Sequence, residues 1–452
     1  MSEWKKVKID FATIKLGGYI EPIKTTVADT GDKNPTVYGV TNKDGISQTG
    51  KPASKDISNY IVLEKDCFAF NPYRINVGSI GINDENLKGC VSPAYVVFKT
   101  KNGLLPKFLY FYLKSDYGIH LINWYGNRGG VRNALRYSDL CKIDIPDIRH
   151  LNQEKLLKTF SSASTRIDEL NNEIEKQKAY AKQLRQNILQ EAIEGKLTAD
   201  WRKQHPVQKG NLDYDAEALF EKIQAEKLET KSTKKTVVPI TKDEIPFEIP
   251  TGWKWVRLGE ICNSIDAGKS ILCKETVPND NEIGIVKTGV CSFGYFKEEE
   301  SKTCLSKNDW HDEYAIHKGD FLISRANTLE LVGSCVVVDS IHKKLMLSDK
   351  ILRMTFFNRI DKRIILYMMR TAFLRNQIEL SSTGSSPTMK NISQDSMRKY
   401  LLPLPPLAEQ KEIVARVEQH LQTITQLETQ IATRETTTKQ LMQSILKDAF
   451  EE

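Results

Sequence analysis

A duplicated mixed α/β (α+β) architecture, two globular modules each followed by a long coiled-coil helix, is the fold class that this 452-residue sequence predicts. Three observations predict it. The segment Lys182-Gln-Leu-Arg-Gln-Asn-Ile-Leu-Gln-Glu-Ala-Ile193 nearly recurs as Lys439-Gln-Leu-Met-Gln-Ser-Ile-Leu-Lys-Asp-Ala-Phe450, with seven of twelve positions identical at an offset of 257. Ile145-Pro146 matches Leu404-Pro405, and Trp4-Lys-Lys-Val-Lys-Ile9 matches Trp253-Lys-Trp-Val-Arg-Leu258. These matches keep their order at offsets of 249 to 259, which marks an internal repeat. Between the landmarks, short β-type runs give way twice to an uninterrupted heptad pattern.

The first module, residues 1–145, holds the strand-type run Cys90-Val-Ser-Pro-Ala-Tyr-Val-Val-Phe98 and a helical run at 109–113. The second, residues 250–403, holds Asp320-Phe-Leu-Ile-Ser324, Leu331-Val-Gly-Ser-Cys-Val-Val-Val338 and a helical run at 364–374. Short runs rich in β-branched and aromatic residues, bounded by turn formers, predict strands. Each helical run leads into a glycine-containing loop and a second short helix.

Residues 146–197 form the central coiled-coil helix. Steps of four and three from Leu156 land on Phe160, Ala163, Ile167, Leu170, Ile174, Gln177, Ala181, Leu184 and Ile188, nine of the ten being apolar. In residues 404–452 the same register gives Ile413, Val417, His420, Ile424, Leu427, Ile431, Arg434, Thr438, Leu441 and Ile445, seven of ten apolar. A seam repeating every ~3.5 residues over more than four heptads predicts a coiled coil. Gln177 and Arg434 interrupt it at equivalent places, either as tolerated imperfections or as a buried polar layer that selects register. Gly195 is placed to stop the first helix. Residues 198–249 are polar and charged and read as an exposed linker with one short helix around 216–225. Its Lys231-Ser-Thr-Lys-Lys235 run reads as a solvated loop in preference to a nucleic-acid patch.

Composition bounds the function. Hydrophobic residues at 40% and charged residues at 27% are globular values. No stretch approaches the ~18 apolar residues of a membrane span. The start Met1-Ser-Glu-Trp-Lys-Lys6 lacks the apolar core of a secretory signal, so the eight dispersed cysteines are expected to be reduced thiols in a cytoplasmic protein. No CxxC, HExxH, GxSxG, Walker or dinucleotide motif is present, and catalytic and metal sites are expected to be absent. Phe70-Asn71-Pro72-Tyr73 invites comparison with the Asn-Pro-Pro-Tyr loop of adenine methyltransferases, but lacks the second proline and a glycine-rich cofactor strand; it reads as a strand-end turn.

Nucleic-acid recognition has more support. The net charge is +7, and the excess sits on the modules: residues 1–145 carry 20 basic and 14 acidic side chains, and residues 250–403 carry 22 and 18. Gly126-Asn-Arg-Gly-Gly-Val-Arg-Asn-Ala-Leu-Arg136 places Asn127, Arg128, Arg132 and Asn133 in a glycine-permitted loop. Arginine can read guanine and asparagine adenine with paired hydrogen bonds. The corresponding second-module segment is Thr383-Gly-Ser-Ser-Pro-Thr-Met-Lys-Asn391, with Ser385, Lys390 and Asn391 as candidates. A second cluster, Asn71-Pro-Tyr-Arg-Ile-Asn76, is matched in position by Ser324-Arg-Ala-Asn-Thr328, giving Arg74 and Asn76 in one module and Arg325 and Asn327 in the other. The rival reading for all of these is ordinary surface turns, and the rival function is a coiled-coil scaffold whose globular ends bind proteins.

The layout resembles the specificity subunits of Type I restriction–modification enzymes. The residues that carry the resemblance are Trp253-Lys-Trp-Val-Arg-Leu-Gly-Glu260 opening a module, Gly319-Asp-Phe-Leu-Ile-Ser-Arg325 within it, Pro403-Leu-Pro-Pro-Leu-Ala-Glu-Gln410 closing it, and Ile445-Leu-Lys-Asp-Ala-Phe450 ending the helix. In the first copy the closing element departs to Ile145-Pro-Asp-Ile-Arg-His-Leu-Asn-Gln153, two residues longer. The resemblance implies that each module is a target recognition domain reading half of a split double-stranded DNA site. It implies that the two long helices pack antiparallel and hold the domains at a fixed separation. It also implies docking of two methylation subunits that bring S-adenosylmethionine, and of restriction (motor/nuclease) subunits that use ATP and Mg. None of these cofactors would be held by this chain. Leu184, Ile188, Leu441 and Ile445 are explained by helix pairing, whereas Leu189 and Leu446, with Ala192 and Ala449, widen the apolar stripe. A wider stripe suits helices received from a partner, so Leu184, Ile188, Leu189, Leu441, Ile445 and Leu446 are the expected docking residues.

Overall fold

The computed structural model describes residues 12–32, 34–42, 44–48, 56–127, 134–229, 239–386 and 388–451, except the side chains of 442–443 and 446–451. The chain divides into two compact units, residues 1–177 with 430–452, and residues 178–429. Each long helix, Gln153–Ile193 and Leu407–Glu451, contributes one part to each unit.

The duplication seen in the sequence is repeated in the strand topology. Each module is closed by pairing its first strand with its last: Thr13–Lys15 runs antiparallel to Asp144–Pro146, and Lys254–Arg257 to Leu401–Leu404. In the first module an antiparallel sheet orders Ile20–Pro22, Val96–Thr100, Phe68–Phe70 and Ile80–Ile82. Its counterpart orders Cys262–Ala267, Ile351–Phe356, Phe321–Ser324 and Cys335–Val337. A second sheet in each contains one parallel pair, Val37–Thr41 with Cys90–Val91 and Ile283–Val286 with Lys344–Met346. The two copies diverge at the edge of this sheet. Ile61–Val62 is added beside Cys90–Val91 in the first, and Cys273–Lys274 beside Ser301–Cys304 in the second.

Residues 90–98 are two strands, not one, because the Ser92-Pro93-Ala94 turn sends them into different sheets. A proline lacks the N–H that a continuous central strand would need. The helical run over 364–374 is likewise two helices, Lys362–Met369 and Ala372–Ser381. Thr371 accepts the Leu374 N–H and donates to Met368 O at 2.7 Å, capping the second while closing the first. Ser115 does the same between Pro106–Lys114 and Asp116–Gly126, accepting from Gly118 and donating to Tyr112 O at 2.6 Å. The first module's core is aromatic: Phe68 stacks on Phe98 with centroids 4.7 Å apart, and Phe70, Phe108 and Tyr112 are buried with them.

Among the described residues of 198–249, the part at 198–229 is packed down and is not an exposed linker. Helix Ala216–Glu229 buries Ala216, Leu219 and Ile223, a spacing of three and four that faces one side of a helix. Its polar side is tied down as well: Lys227 Nζ donates to Gly259 O at 2.7 Å, and Lys254 pairs with Glu217 at 2.7 Å. Backbone carbonyls of Leu212 and Asp213 accept the Leu407 and Ala408 N–H groups, which have no partner within their own helix. The polar composition misled because only three side chains, spread over about two turns, do the packing. The Lys231–Lys235 run lies outside the described residues, as does Trp4 with residues 5–9.

A buried carboxylate explains part of the closing motif. Glu409 is 1% exposed and accepts from Thr198 Oγ1 at 2.6 Å, from Trp253 Nε1 at 2.7 Å and from the Arg202 guanidinium. Gln410 holds Asp361 N at 3.1 Å and Pro405 O at 3.0 Å. Gln153, 257 positions earlier, holds Leu105 N at 2.9 Å and Gly103 O at 3.0 Å. Replacing Glu409 with alanine is expected to destabilise the unit of residues 178–429 by about 3 kcal/mol, because it strands a guanidinium and an indole N–H. Urea denaturation followed by circular dichroism measures this; an unshifted midpoint would show that the network contributes nothing.

The long helices pair antiparallel. In one unit Arg434 Nη1 donates to Gln177 Oε1 at 3.4 Å, and in the other Arg185 pairs with Glu428 at 2.9 Å. The two polar interruptions therefore do meet, but Arg434 is exposed and the layer is not buried. Gly195 ends the first helix with φ +69°, and an added Cβ would lie 2.4 Å from Pro250.

Candidate nucleic-acid interface

In the second module the predicted residues converge on one small ribbon. Ala326–Asn327 pairs antiparallel with Lys390–Asn391, with Ala326 opposite Asn391 and Asn327 opposite Lys390. Ile392 N donates to Arg325 O at 2.8 Å, and Thr383 and Asn391 exchange both backbone hydrogen bonds, at 2.8 and 2.9 Å. Thr383 and Asn391 thus give this hairpin a defined base. Lys390 Nζ donates to Gly384 O at 2.6 Å, and Asn327 Oδ1 accepts the Thr328 N–H at 2.9 Å. Gly384 has φ +121°, and a Cβ there would meet Met389 O at 2.5 Å, so the hairpin requires glycine. Among the described residues the Arg325 guanidinium and the Asn391 carboxamide have no hydrogen-bond partner, and Ser385 is exposed on the hairpin. Donor and acceptor groups on a short ribbon are thereby left available to something outside the chain.

The first module repeats the ladder. Leu135 N donates to Pro72 O at 3.0 Å and Ala134 N to Gly126 O at 3.1 Å. These bonds superpose Pro72 on Arg325 and Arg74 on Asn327, the positional match read from sequence. Arg74 is exposed at the start of the 3-10 turn Ile75–Val77, Asn76 is half-buried, and Asn127 follows helix Asp116–Gly126. Arg128, Arg132 and Asn133 lie outside the described residues.

The expected docking stripe needs correction. Leu189 and Ala192 are each 2% exposed, and Ile188 is buried too, so the chain covers them itself. Ile445 packs on the first module's core, and the Leu446 and Ala449 side chains lie outside the described ones. Of the expected set Leu184 and Leu441 are exposed, at 44% and 42%, together with the seam leucines Leu170 at 44% and Leu427 at 42%. Two helices alone bury one seam position per heptad (Phe160, Ile167, Ile174, Ala181, Ile188) and leave the other open. Leu170 and Leu427, exposed in the same way, were already counted in the heptad pattern. Their solvent exposure could not be read from it.

All eight cysteines are free thiols. Burial pushes Cys67 and Cys262 up to about 12, which keeps them protonated and unreactive near neutral pH. Among the described residues no group of His, Cys, Asp and Glu could hold a metal ion, and no helix is long and apolar enough to cross a membrane.

Residues 250–434, the second module and more than half of its long helix, match the family described as the Type I restriction modification DNA specificity domain. The Type I restriction enzyme EcoEI specificity subunit of Escherichia coli is 31% identical over 274 residues, 59% of this chain and 45% of that protein. Over its second module and the adjoining helix the chain is thus similar to the Type I specificity subunits. The EcoDI specificity subunit of Escherichia coli is 23% identical over 449 residues, covering 98% of this chain and 89% of that one. A chain solved in work on complex assembly and conformational transition of the type I R-M system shares the fold, with a TM-score of 0.65 at 18% identity over 99% of both chains. The chain spans about half the length of the first curated Type I specificity subunits it matches, 45% of EcoEI and 57% of the Escherichia coli EcoKI subunit.

Proposed function

We propose that this chain is the DNA-recognition subunit of a Type I restriction–modification complex, each module reading one half of a bipartite double-stranded target. The observation that carries the reading is the ribbon that brings Arg325, Asn327, Lys390 and Asn391 together, with its counterpart ladder at Pro72–Arg74 and Asn127. Arg and Asn supply paired hydrogen bonds to guanine and adenine edges, and Lys a phosphate contact. The modules' basic excess lies on the same parts of the chain. Two similar modules in one chain can diverge, so the two half-sites need not be related by symmetry.

The proposal extends to partners. The antiparallel register sets Leu170 level with Leu441 in one unit, and Leu184 level with Leu427 in the other. Each unit thus offers one exposed leucine pair on a two-helix surface, a stripe suited to helices from one methylation subunit, two per chain. Those subunits would bring S-adenosylmethionine, and restriction subunits would use ATP and Mg; this chain would perform no catalysis itself.

A filter-binding salt titration tests the DNA reading. Displacement of counterions by Lys and Arg is expected to lower log K by about 0.9 per phosphate contacted for each decade of salt. Flat salt dependence, or no retention of DNA, would favour the protein-binding scaffold instead.

A further inference from the structure

Beside the first module's ladder stand three large apolar side chains that the polar reading leaves unused. Tyr73 is 62% exposed, Val77 60% and Trp124 38%. The local geometry holds them there. Asn71 Oδ1 accepts the Tyr73 N–H at 2.9 Å, and the Asn71 carbonyl accepts the Arg74 and Ile75 N–H groups, both at 3.0 Å. The corner is therefore a closed turn that projects Tyr73 outward. The turn Ile75–Val77 packs against helix Asp116–Gly126, which carries Trp124. The bonds from Leu135 to Pro72 and from Ala134 to Gly126 join the two segments. Tyr73, Arg74, Val77, Trp124 and Asn127 thus share one rim.

The second module also exposes apolar groups near its ribbon, at other positions: Leu329 at 37%, Leu380 at 80% and Met389 at 48%. Burying such groups is the default for a globular chain, and three of them left exposed beside the first module's ladder mark a contact surface. The neighbouring charge on the rim is Arg74, and the module as a whole is basic, which fits a polyanionic occupant.

We infer that Tyr73, Val77 and Trp124 form an apolar contact that packs on the bases of the first half-site, beside the polar groups that read base edges. The inference rests on the DNA reading proposed above. Apolar side chains meet DNA at thymine methyl groups, as wedges between base steps, or stacked on a base face. All three add affinity without neutralising phosphate, so they leave the salt dependence untouched. This property separates the three apolar side chains from Arg74 and Lys390.

The test uses the full chain with two duplexes, one carrying the target read from the cell's methylation pattern and one of random sequence. Tyr73→Ala and, separately, Val77→Asn remove side chains that are mostly in solvent, so neither opens a core cavity; circular dichroism checks each. Each variant is expected to bind the target duplex about tenfold more weakly than the parent, with an unchanged salt slope. Parental affinity in both variants, or a loss accompanied by a shallower slope, would overturn the inference. If the parent chain binds neither duplex with salt dependence, the DNA reading falls and the rim falls with it. If the parent binds steeply and the variants equal it, only the rim falls.

Discussion

Replacing Leu184 and Leu427 with glutamate is expected to remove one methylation subunit from the purified complex and leave the other in place. These side chains are 44% and 42% exposed in the free chain, so the unit that carries them should fold normally. In a helical interface the same positions become buried, and an unpaired carboxylate there costs several kcal/mol of association, roughly a thousandfold or more. Changing Leu170 and Leu441 as well should remove the second subunit. Native mass of the co-purified complex reads the outcome directly: two, one and none. Two subunits retained in the fourfold variant would move the interface off this stripe.

The second large effect concerns the ribbon. Replacing Arg325 and Lys390 together with alanine is expected to weaken target binding by about 2–6 kcal/mol, from ~1–3 for each contact. The two residues should differ in kind. Loss of a phosphate contact at Lys390 lowers affinity for all sequences and shallows the salt slope, whereas loss of Arg325 relaxes discrimination at one base pair. For the first half-site the parallel change is Arg128→Ala with Arg132→Ala. A gel-shift series against single-base variants of the target separates these cases. Unchanged affinity in the double variant would remove the ribbon from the interface.

Much of the fold could be read from periodicity and repetition, because both report backbone geometry directly. The 257-residue offset located equivalent glutamines, Gln153 and Gln410, whose side-chain oxygens each accept a module N–H, from Leu105 and from Asp361, and so fasten each long helix to its module. The heptads located the seam. They could not show which seam positions stay open, since that depends on how many helices share the stripe, and among the described residues two helices form it. Leu189 was misassigned for the same reason: a wide stripe is equally consistent with the chain's own packing and with a partner. The segment at 198–249 was misread because net polarity hides an apolar face of three residues, Ala216, Leu219 and Ile223. Glu409 was visible as part of a motif, but its role depends on Thr198, Arg202 and Trp253 arriving from more than 150 residues away. The ribbon was legible as two separate clusters of Arg, Lys and Asn. That they pair is a tertiary fact, set by a backbone ladder with no sequence signature beyond the glycine at Gly384.

The most direct measurement of the central claim is methylome sequencing of cells with and without this chain, alongside cells carrying Arg325→Ala with Lys390→Ala. The account predicts methylated adenines within one bipartite motif, lost completely when the chain is absent. In the double variant, recognition should weaken in one half of the motif while the sequence of the other half stays fixed. An identical methylation pattern in cells with and without the chain, where its partner subunits are expressed, would contradict it.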